Sequence, residues 1–248
     1  MLKVLWTRLK QGHRTMGYPD GPAPELPARF LGRPRFDPSR CKPDCAGCAG
    51  VCPTGALGGG KLDLGRCLFC GACAAACPEK AMEFTQEHQM AVRVREHLEL
   101  GGQTYRLAHA LEQRTRKLFG RSLKLRQVSA GGCNACEADV NVLGTIGWDL
   151  GRFGIQFAAS PRHADGLLVT GPVTENMRLA LLKTWEAVPA PKLVIASGSC
   201  AIAGGPYRGH PEVHDGCGKF LPVDLFIPGC PPHPLTILDG LLRLLGRL

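Results

Sequence analysis

CLFCGACAAACP, residues 67–78, decides how the region around it folds. It spaces Cys67, Cys70, Cys73 and Cys77 as C-x2-C-x2-C-x3-C-P, so three thiolates reach three corners of one iron-sulfur cubane while the fourth points away toward a second. Upstream, CKPDCAGCAGVCP at 41–53 repeats the run through Cys41, Cys45, Cys48 and Cys52, with one extra residue between its first two cysteines. CAGVCPTGAL is echoed by CAAACPEKAM, which predicts two copies of one unit related by a pseudo-two-fold axis. By the crossed rule, one 4Fe-4S cluster takes Cys41, Cys45, Cys48 and Cys77, and the other takes Cys67, Cys70, Cys73 and Cys52. The Lys42-Pro43-Asp44 insertion is read as a bulge that leaves Cys41 a ligand, the most open of the eight assignments. The block is rich in Gly and Ala and poor in large apolar side chains, so its core is expected to be inorganic. Zinc also takes four-thiolate sites from C-x2-C pairs, but its modules usually separate the pairs by a dozen or more residues.

Downstream, apolar runs alternate with helix-length segments. Strands are expected near Leu125–Val128, Leu167–Thr170, Leu193–Ala196 and Val223–Ile227, with helices near 136–147, 175–187 and 234–245. That order predicts an α/β unit, a parallel sheet with helices on both faces, whose ligands gather beyond the carboxyl ends of the strands. Cys133, Cys200 and Cys230 each follow an expected strand by a few residues, and Cys136 lies one helical turn from Cys133. A third tetrad therefore forms at one sheet edge, in GGCNACEAD, SGSCAIAGGP and IPGCPPHP, where adjacent glycines let backbone amides approach cluster sulfurs.

The bulk numbers bound the rest. The chain has 248 residues, 44% of them hydrophobic, with 32 glycines and 20 prolines, enough for two unequal domains with many loops. Thirteen cysteines would suit a disulfide-bonded secreted protein, but MLKVLWTRLKQGHRT has no apolar leader core, which points to a reducing compartment. Nothing approaches eighteen consecutive apolar residues, so no membrane span is expected. A formal charge of +9 would suggest nucleic-acid binding, yet three clusters with their thiolates bring the loaded protein to roughly +3. No nucleic-acid partner is therefore expected, and a basic zinc-ribbon module that binds nucleic acid is the remote alternative.

Residues 1–12 place Leu2, Leu5, Trp6 and Leu9 on one helical stripe beside Lys3, Arg8 and Lys10. Either this short basic helix docks on a membrane surface or partner, or it covers the neighbouring domain. Six prolines between 13 and 40 imply an extended arm. From Glu83 to Arg126 nine basic residues face five acidic ones, with a helix expected over Gln103–Phe119, and the charges read as a solvated face. The chain thus divides into a basic arm, 1–35; a two-cluster domain, 36–85; a basic linker with a helix, 86–121; and the third-tetrad domain, 122–248.

Residues 122–248, through GGCNACEAD, SPRHADGLLVTGPVT, GSCAIAGG and PVDLFIPGCPPHP, resemble the small, proximal-cluster subunit of nickel-iron hydrogenases of the formate hydrogenlyase and energy-converting type (group 4). That family is related to the 20 kDa subunit of complex I. Residues 13–85, through YPDGPAPELPARFLGRPRF and both cysteine runs, resemble the two-cluster ferredoxin subunit of the same complexes, so the chain looks like a fusion of two subunits. The resemblance implies a flavodoxin-like sheet behind a small α+β bacterial-ferredoxin-like domain, and three 4Fe-4S clusters, with Cys133, Cys136, Cys200 and Cys230 on the proximal one. It also implies a non-catalytic electron-transfer subunit of an oxidoreductase, peripheral on the cytoplasmic side of the cell membrane. The partners it implies are a large subunit, either nickel-iron or like the 49 kDa subunit of complex I, membrane-arm subunits, and an iron-sulfur donor or formate dehydrogenase. Complex I relatives carry two adjacent cysteines where this chain has Cys133-x2-Cys136, so the hydrogenase branch is favoured and quinone reduction is the alternative. Cys217 is left over as a spare thiol. Glu137 and Asp139 are read either as solvated carboxylates or as groups tuning the proximal cluster, and Arg162 and His163 either as near the large subunit or as structural.

Overall fold

The computed structural model describes every residue except 1, 13, 43, 44, 46, 102–104, 120 and 121. Helix α1 (Leu2–Gln11) buries none of its side chains. The proline-rich arm that follows is pinned to the domain behind it. Arg152 donates to the carbonyls of Met16 at 2.6 Å and Tyr18 at 2.5 Å, Met16 N–H donates to Gly147 O at 3.0 Å, and the buried Tyr18 hydroxyl donates to Asp239 Oδ1 at 2.8 Å. Burial beside the Asp239 carboxylate raises the Tyr18 phenol far above its ordinary value, so it remains a donor.

Two short repeats follow. Strand β1 (Pro34–Phe36) precedes helix α2 (Gly47–Gly50), and strands β2 (Leu57–Gly58) and β3 (Lys61–Asp63) form a hairpin across Gly59 and Gly60. Helix α3 (Ala72–Ala75) and strand β4 (Met82–Phe84) complete the second copy. β4 returns antiparallel to β1, with Arg35 opposite Glu83, so the two ends of the block close on each other. β5 (Glu99–Leu100) adds to β3, and Arg95 makes a two-pronged ion pair with Asp63 at 2.9 and 2.7 Å.

The segment expected as a linker with a solvated charged face exposes Glu96, Arg106, Glu112, Arg116 and Lys117 but anchors itself through apolar residues. Met90, Ala91, Val92 and Leu98 are buried, and Val92 pairs with Phe226 of the sheet region through two backbone hydrogen bonds. The helix expected over Gln103–Phe119 is only α4 (Gln113–Phe119); residues 103 and 104 lie outside the described set. Residues 105–112 form no helix: Ala108 N–H donates to Ala91 O and Leu111 N–H to Leu244 O, so tertiary pairing overrides local preference.

The second half is a five-stranded, all-parallel sheet of β6 (Leu123–Ser129), β7 (Ile155–Phe157), β8 (Gly166–Thr170), β9 (Leu193–Ser197) and β10 (Leu225–Ile227). Its spatial order is β7-β6-β8-β9-β10. Counted within the domain this is 2-1-3-4-5, the flavodoxin-like order. Alternation along the strands assigns the two faces. Leu168, Ile195 and Ile227 pack with α5 (Ala135–Val142) and α8 (Pro234–Leu244). Leu167, Val169, Val194 and Ala196 pack with Leu181 of α6 (Glu175–Ala187), in a cluster continuous with Leu57, Leu62, Leu64 and Met82 of the cysteine-rich block. That block therefore has an apolar core beyond the one expected from its composition, which it shares with the sheet. The helix expected over 136–147 stops at Val142, and β7 and the short helix α7 (Ser199–Ala203) were not anticipated.

Candidate metal centres

The first tetrad is assembled by β1, α2 and the turn after α3. Cys41 follows a short 3-10 turn, Pro38–Arg40, capped by Asp37, whose carboxylate accepts from Ser39 N–H at 3.1 Å. Cys41, Cys45, Cys48 and Cys77 line one cavity with Phe36, Ala81 and Met82. Desolvation, and then the neighbouring Cys48, Cys77 and Cys45, push the Cys41 thiol up. Lys42 pairs with Glu79. Pro43 and Asp44, the rest of the proposed bulge, lie outside the described residues. Ala81 N–H donates to Cys77 Sγ at 3.3 Å.

Cys52, Cys67, Cys70 and Cys73 line a second cavity with Thr54, Ala56, Leu57, Leu62 and Phe84. Cys52 of the first run thus lines the cavity of the second, and Cys77 of the second run lines the cavity of the first. Burial acts to raise Cys52, but backbone N–H groups of Thr54, Ala56 and Leu57 more than offset it, and its thiol lies below the ordinary value. Ala56 N–H donates to Cys52 Sγ at 3.3 Å, and Phe69 N–H to Cys67 Sγ at 3.3 Å. Burial nevertheless pushes Cys67 up to about 12.

The third group sits beyond the carboxyl ends of the sheet. Cys133 precedes α5, where Asn134 takes a left-handed turn (φ 70°); Cys136 is in the first turn of α5, Cys200 in α7, and Cys230 in the loop after β10. Burial, followed by Cys200, Glu137, Cys230 and Cys133, raises Cys136 well above its ordinary value. Burial, Cys230, Cys133 and Glu137 push Cys200 up to about 12. Two glycines make the approach possible. A Cβ on Gly198 (φ +94°) would lie 2.6 Å from Cys136 Sγ, and one on Gly171 (φ +81°) would lie 2.6 Å from Gly132 N, where the loops after β6 and β8 touch.

All three sets fit a cationic inorganic core. In each set burial opposes ionisation of at least one thiol, Cys41 in the first, Cys67 and Cys73 in the second, and Cys136, Cys200 and Cys230 in the third, and a multiply charged metal centre reverses that balance. Among the described residues no three His, Cys, Asp or Glu side chains form a ligand set for a single metal ion. In a cubane each thiolate binds its own iron, so its four ligands stand farther apart than the four at 2.3 Å around one zinc.

The second and third sets adjoin. The hydroxyl of Ser199, 1% exposed, donates to Cys67 O at 2.5 Å and reaches Gly229 O at 3.0 Å, and Cys230 is raised by burial, Cys133 and Cys70. Ser199 escaped the sequence reading, since a serine beside a cysteine carries no spacing signal.

The remaining candidates separate. Cys217 is fully buried, pushed up to about 12 by burial and packed in the core cluster. Glu137 is not solvated: it is 7% exposed and accepts from the buried Thr170 hydroxyl at 2.6 Å. Asp139 is half-buried, raised by burial, and shares a cavity with Cys230, Arg29, Met90 and His233. Arg162 and His163 are exposed on a 3-10 turn.

Residues 133–244 match the family described as NADH ubiquinone oxidoreductase, 20 Kd subunit, and residues 61–83 match the 4Fe-4S binding domain. The chain is 43% identical over 132 residues to formate hydrogenlyase subunit 7 of Escherichia coli, covering 53% of this chain and 52% of that one, so it spans about half that relative's length. It is 41% identical over 132 residues to the probable membrane-bound hydrogenase subunit mbhJ of Pyrococcus furiosus, covering 53% of this chain and 79% of that one. It is also 45% identical over 118 residues to a subunit of the NADH-quinone oxidoreductase of Clostridium beijerinckii, covering 47% and 70% respectively.

Proposed function

Since the chain belongs to the family of the 20 kDa subunit of NADH ubiquinone oxidoreductase, we propose that it is an electron-transfer subunit holding three 4Fe-4S clusters in series. The ligand sets are Cys41, Cys45, Cys48 and Cys77; Cys52, Cys67, Cys70 and Cys73; and Cys133, Cys136, Cys200 and Cys230. The observation that carries this reading is the grouping of twelve cysteines into three adjoining tetrads, with Ser199 spanning the seam between the second and third.

Each bound cluster would supply a one-electron couple. The chain's own residues set its surroundings. The N–H groups of Ala56, Phe69 and Ala81 stabilise charge on Cys52, Cys67 and Cys77, which favours the reduced state of whatever these sulfurs hold. Buried Leu57, Leu62, Ala81 and Met82 give the first two sets an apolar wall, while Cys41, Cys45 and Cys70 are exposed. Gly198 admits Cys136 to the third.

The partner we propose is a large subunit with a nickel-iron centre, in a complex of the formate hydrogenlyase kind. The relatives named as hydrogenase subunits support it, as does the Cys133-x2-Cys136 spacing. Electrons enter at the two-cluster block from an iron-sulfur donor or formate dehydrogenase and leave from the third tetrad. Membrane-arm subunits and a peripheral position on the cytoplasmic face complete the reading. None of the described helices is long and apolar enough to cross a bilayer.

Metal and sulfide analysis of anaerobically purified chain tests the clusters: about twelve irons with matching acid-labile sulfide are expected. Two or three zincs in their place would overturn the reading. Hydrogen-dependent viologen reduction by the nickel-containing complex tests the partner. Quinone reduction without nickel would shift the assignment to the complex I branch.

A further inference from the structure

We propose that α1 is an interfacial helix that lies on an anionic bilayer surface. This deepens the peripheral placement proposed above and names the device that provides it. At about 100° per residue, Leu2, Leu5, Trp6 and Leu9 share one stripe of the helix. They are 84%, 59%, 62% and 77% exposed. Val4, also exposed, lies off the stripe. A helix whose role is to cover its own domain buries its apolar face, as α8 does with ten of its eleven residues; α1 buries none. A helix of ten residues is marginal in water by itself, so an apolar environment must be supplied from outside the chain.

The charges select the environment. Lys3 and Lys10 flank one side of the stripe and Arg8 the other, with no acidic residue in the helix. The Lys10 ammonium sits 5.5 Å from the Trp6 ring centroid, so indole and cation lie together at the border between apolar and polar faces. Aliphatic stems that run up both sides of an apolar stripe and end in cations suit a plane of anionic headgroups above acyl chains. An apolar protein groove would offer the Lys3 and Lys10 ammonium groups no anion, whereas Arg8 also donates to Gly12 O at 2.8 Å. Residues 1–40 carry eight basic and three acidic side chains, which extends the positive surface beyond the helix. Where the arm meets the sheet domain, Met16 N–H donates to Gly147 O, and the adjacent Ile146 is 75% exposed.

The purified, cluster-loaded full chain, sedimented with phosphatidylcholine vesicles with and without phosphatidylglycerol, tests this. The chain is expected to follow the phosphatidylglycerol vesicles, less so as salt rises. Leu5→Glu combined with Leu9→Glu is expected to lower the partition roughly tenfold or more. Lys3→Gln with Lys10→Gln is expected to lower it severalfold on anionic vesicles and to leave neutral ones unaffected. Failure of the native chain to sediment with anionic vesicles, or native-like sedimentation of the double glutamate variant, overturns the proposal and assigns the stripe to a protein partner. Iron content measured on the same samples separates this outcome from the other, because vesicle binding by iron-free chain would sink the electron-transfer reading and leave the helix assignment standing.

Discussion

The cysteine-rich block and the sheet domain bring their cysteines together by opposite means. In the block, the ligands are close in sequence and the elements between them are two to four residues long, so little hydrogen-bonded structure holds the loops apart. In the sheet domain, the ligands span residues 133 to 230, and β6, β9 and β10, paired in register, bring them to one edge. A site of the first kind depends on its metal for shape, whereas a site of the second kind is shaped by packing before any metal arrives.

Removing the clusters is the most severe test of this contrast. Chelation of iron under reducing conditions is expected to abolish amide protection across 36–85 while β6, β8 and β9 keep theirs, since four-thiolate binding contributes folding free energy directly where packing is thin. Hydrogen exchange with mass spectrometry reads both regions in one experiment. Uniform loss of protection would mean that the shared cluster of Leu62, Leu64, Val169 and Ala196 makes one cooperative unit of the two.

Single-ligand variants sharpen the comparison. Cys200→Ser is expected to lose about four irons, keep the other eight and leave the circular dichroism of the sheet unchanged. Cys45→Ser is expected to lose a similar amount of iron and also to expose 36–85 to proteolysis. Cys217→Ala, which removes the one cysteine outside the tetrads, is expected to lose no iron.

What the sequence made legible follows the same division. Which cysteines line the first two cavities follows the local spacing, with Cys52 and Cys77 each on the other run's side. The parallel sheet was legible because GLLVT and LVIAS are unbroken apolar runs of the kind a parallel strand buried on both faces requires. Element ends were less accessible. β7 is three residues long with only Ile155 buried, too short for a period, and α5 stops where Gly144 and Gly147 turn the chain. Over 105–112 the expected helix gives way to irregular chain because Ala108 and Leu111 find backbone partners at Ala91 and Leu244. Ser199 and the Thr170–Glu137 bond are products of tertiary approach, which local pattern does not encode.

The sheet side should tolerate a lost polar contact less well than a lost cluster. Thr170→Val keeps the shape of a fully buried side chain but removes the donor to Glu137, itself 7% exposed. An unsatisfied buried acceptor costs about 1–3 kcal/mol, which denaturant unfolding of the sheet signal would register. A change confined to the third cluster's spectrum, with stability unaltered, would instead make Glu137 a tuning group.

The smallest expected effect is a pH dependence located on the sheet side alone. His88 is 8% exposed, its Nε2 has no hydrogen-bond partner, and its ring meets Tyr18 edge-on at 5.8 Å. Burial, with the Arg243 guanidinium adding to it, lowers the pKa below 6.5, against the opposing pull of Asp239 and Glu87. The folded state therefore holds this imidazole neutral at a pH where the unfolded chain protonates it, so the unfolded state binds more protons and stability falls as pH drops below about 6.5 toward the lowered folded value. His88→Phe preserves the ring and removes the titration. Stability of α8 by hydrogen exchange should decline between neutral and mildly acidic pH in the native chain and decline less in the variant. An equal decline in both would assign the acid sensitivity to other groups and remove His88 from the account.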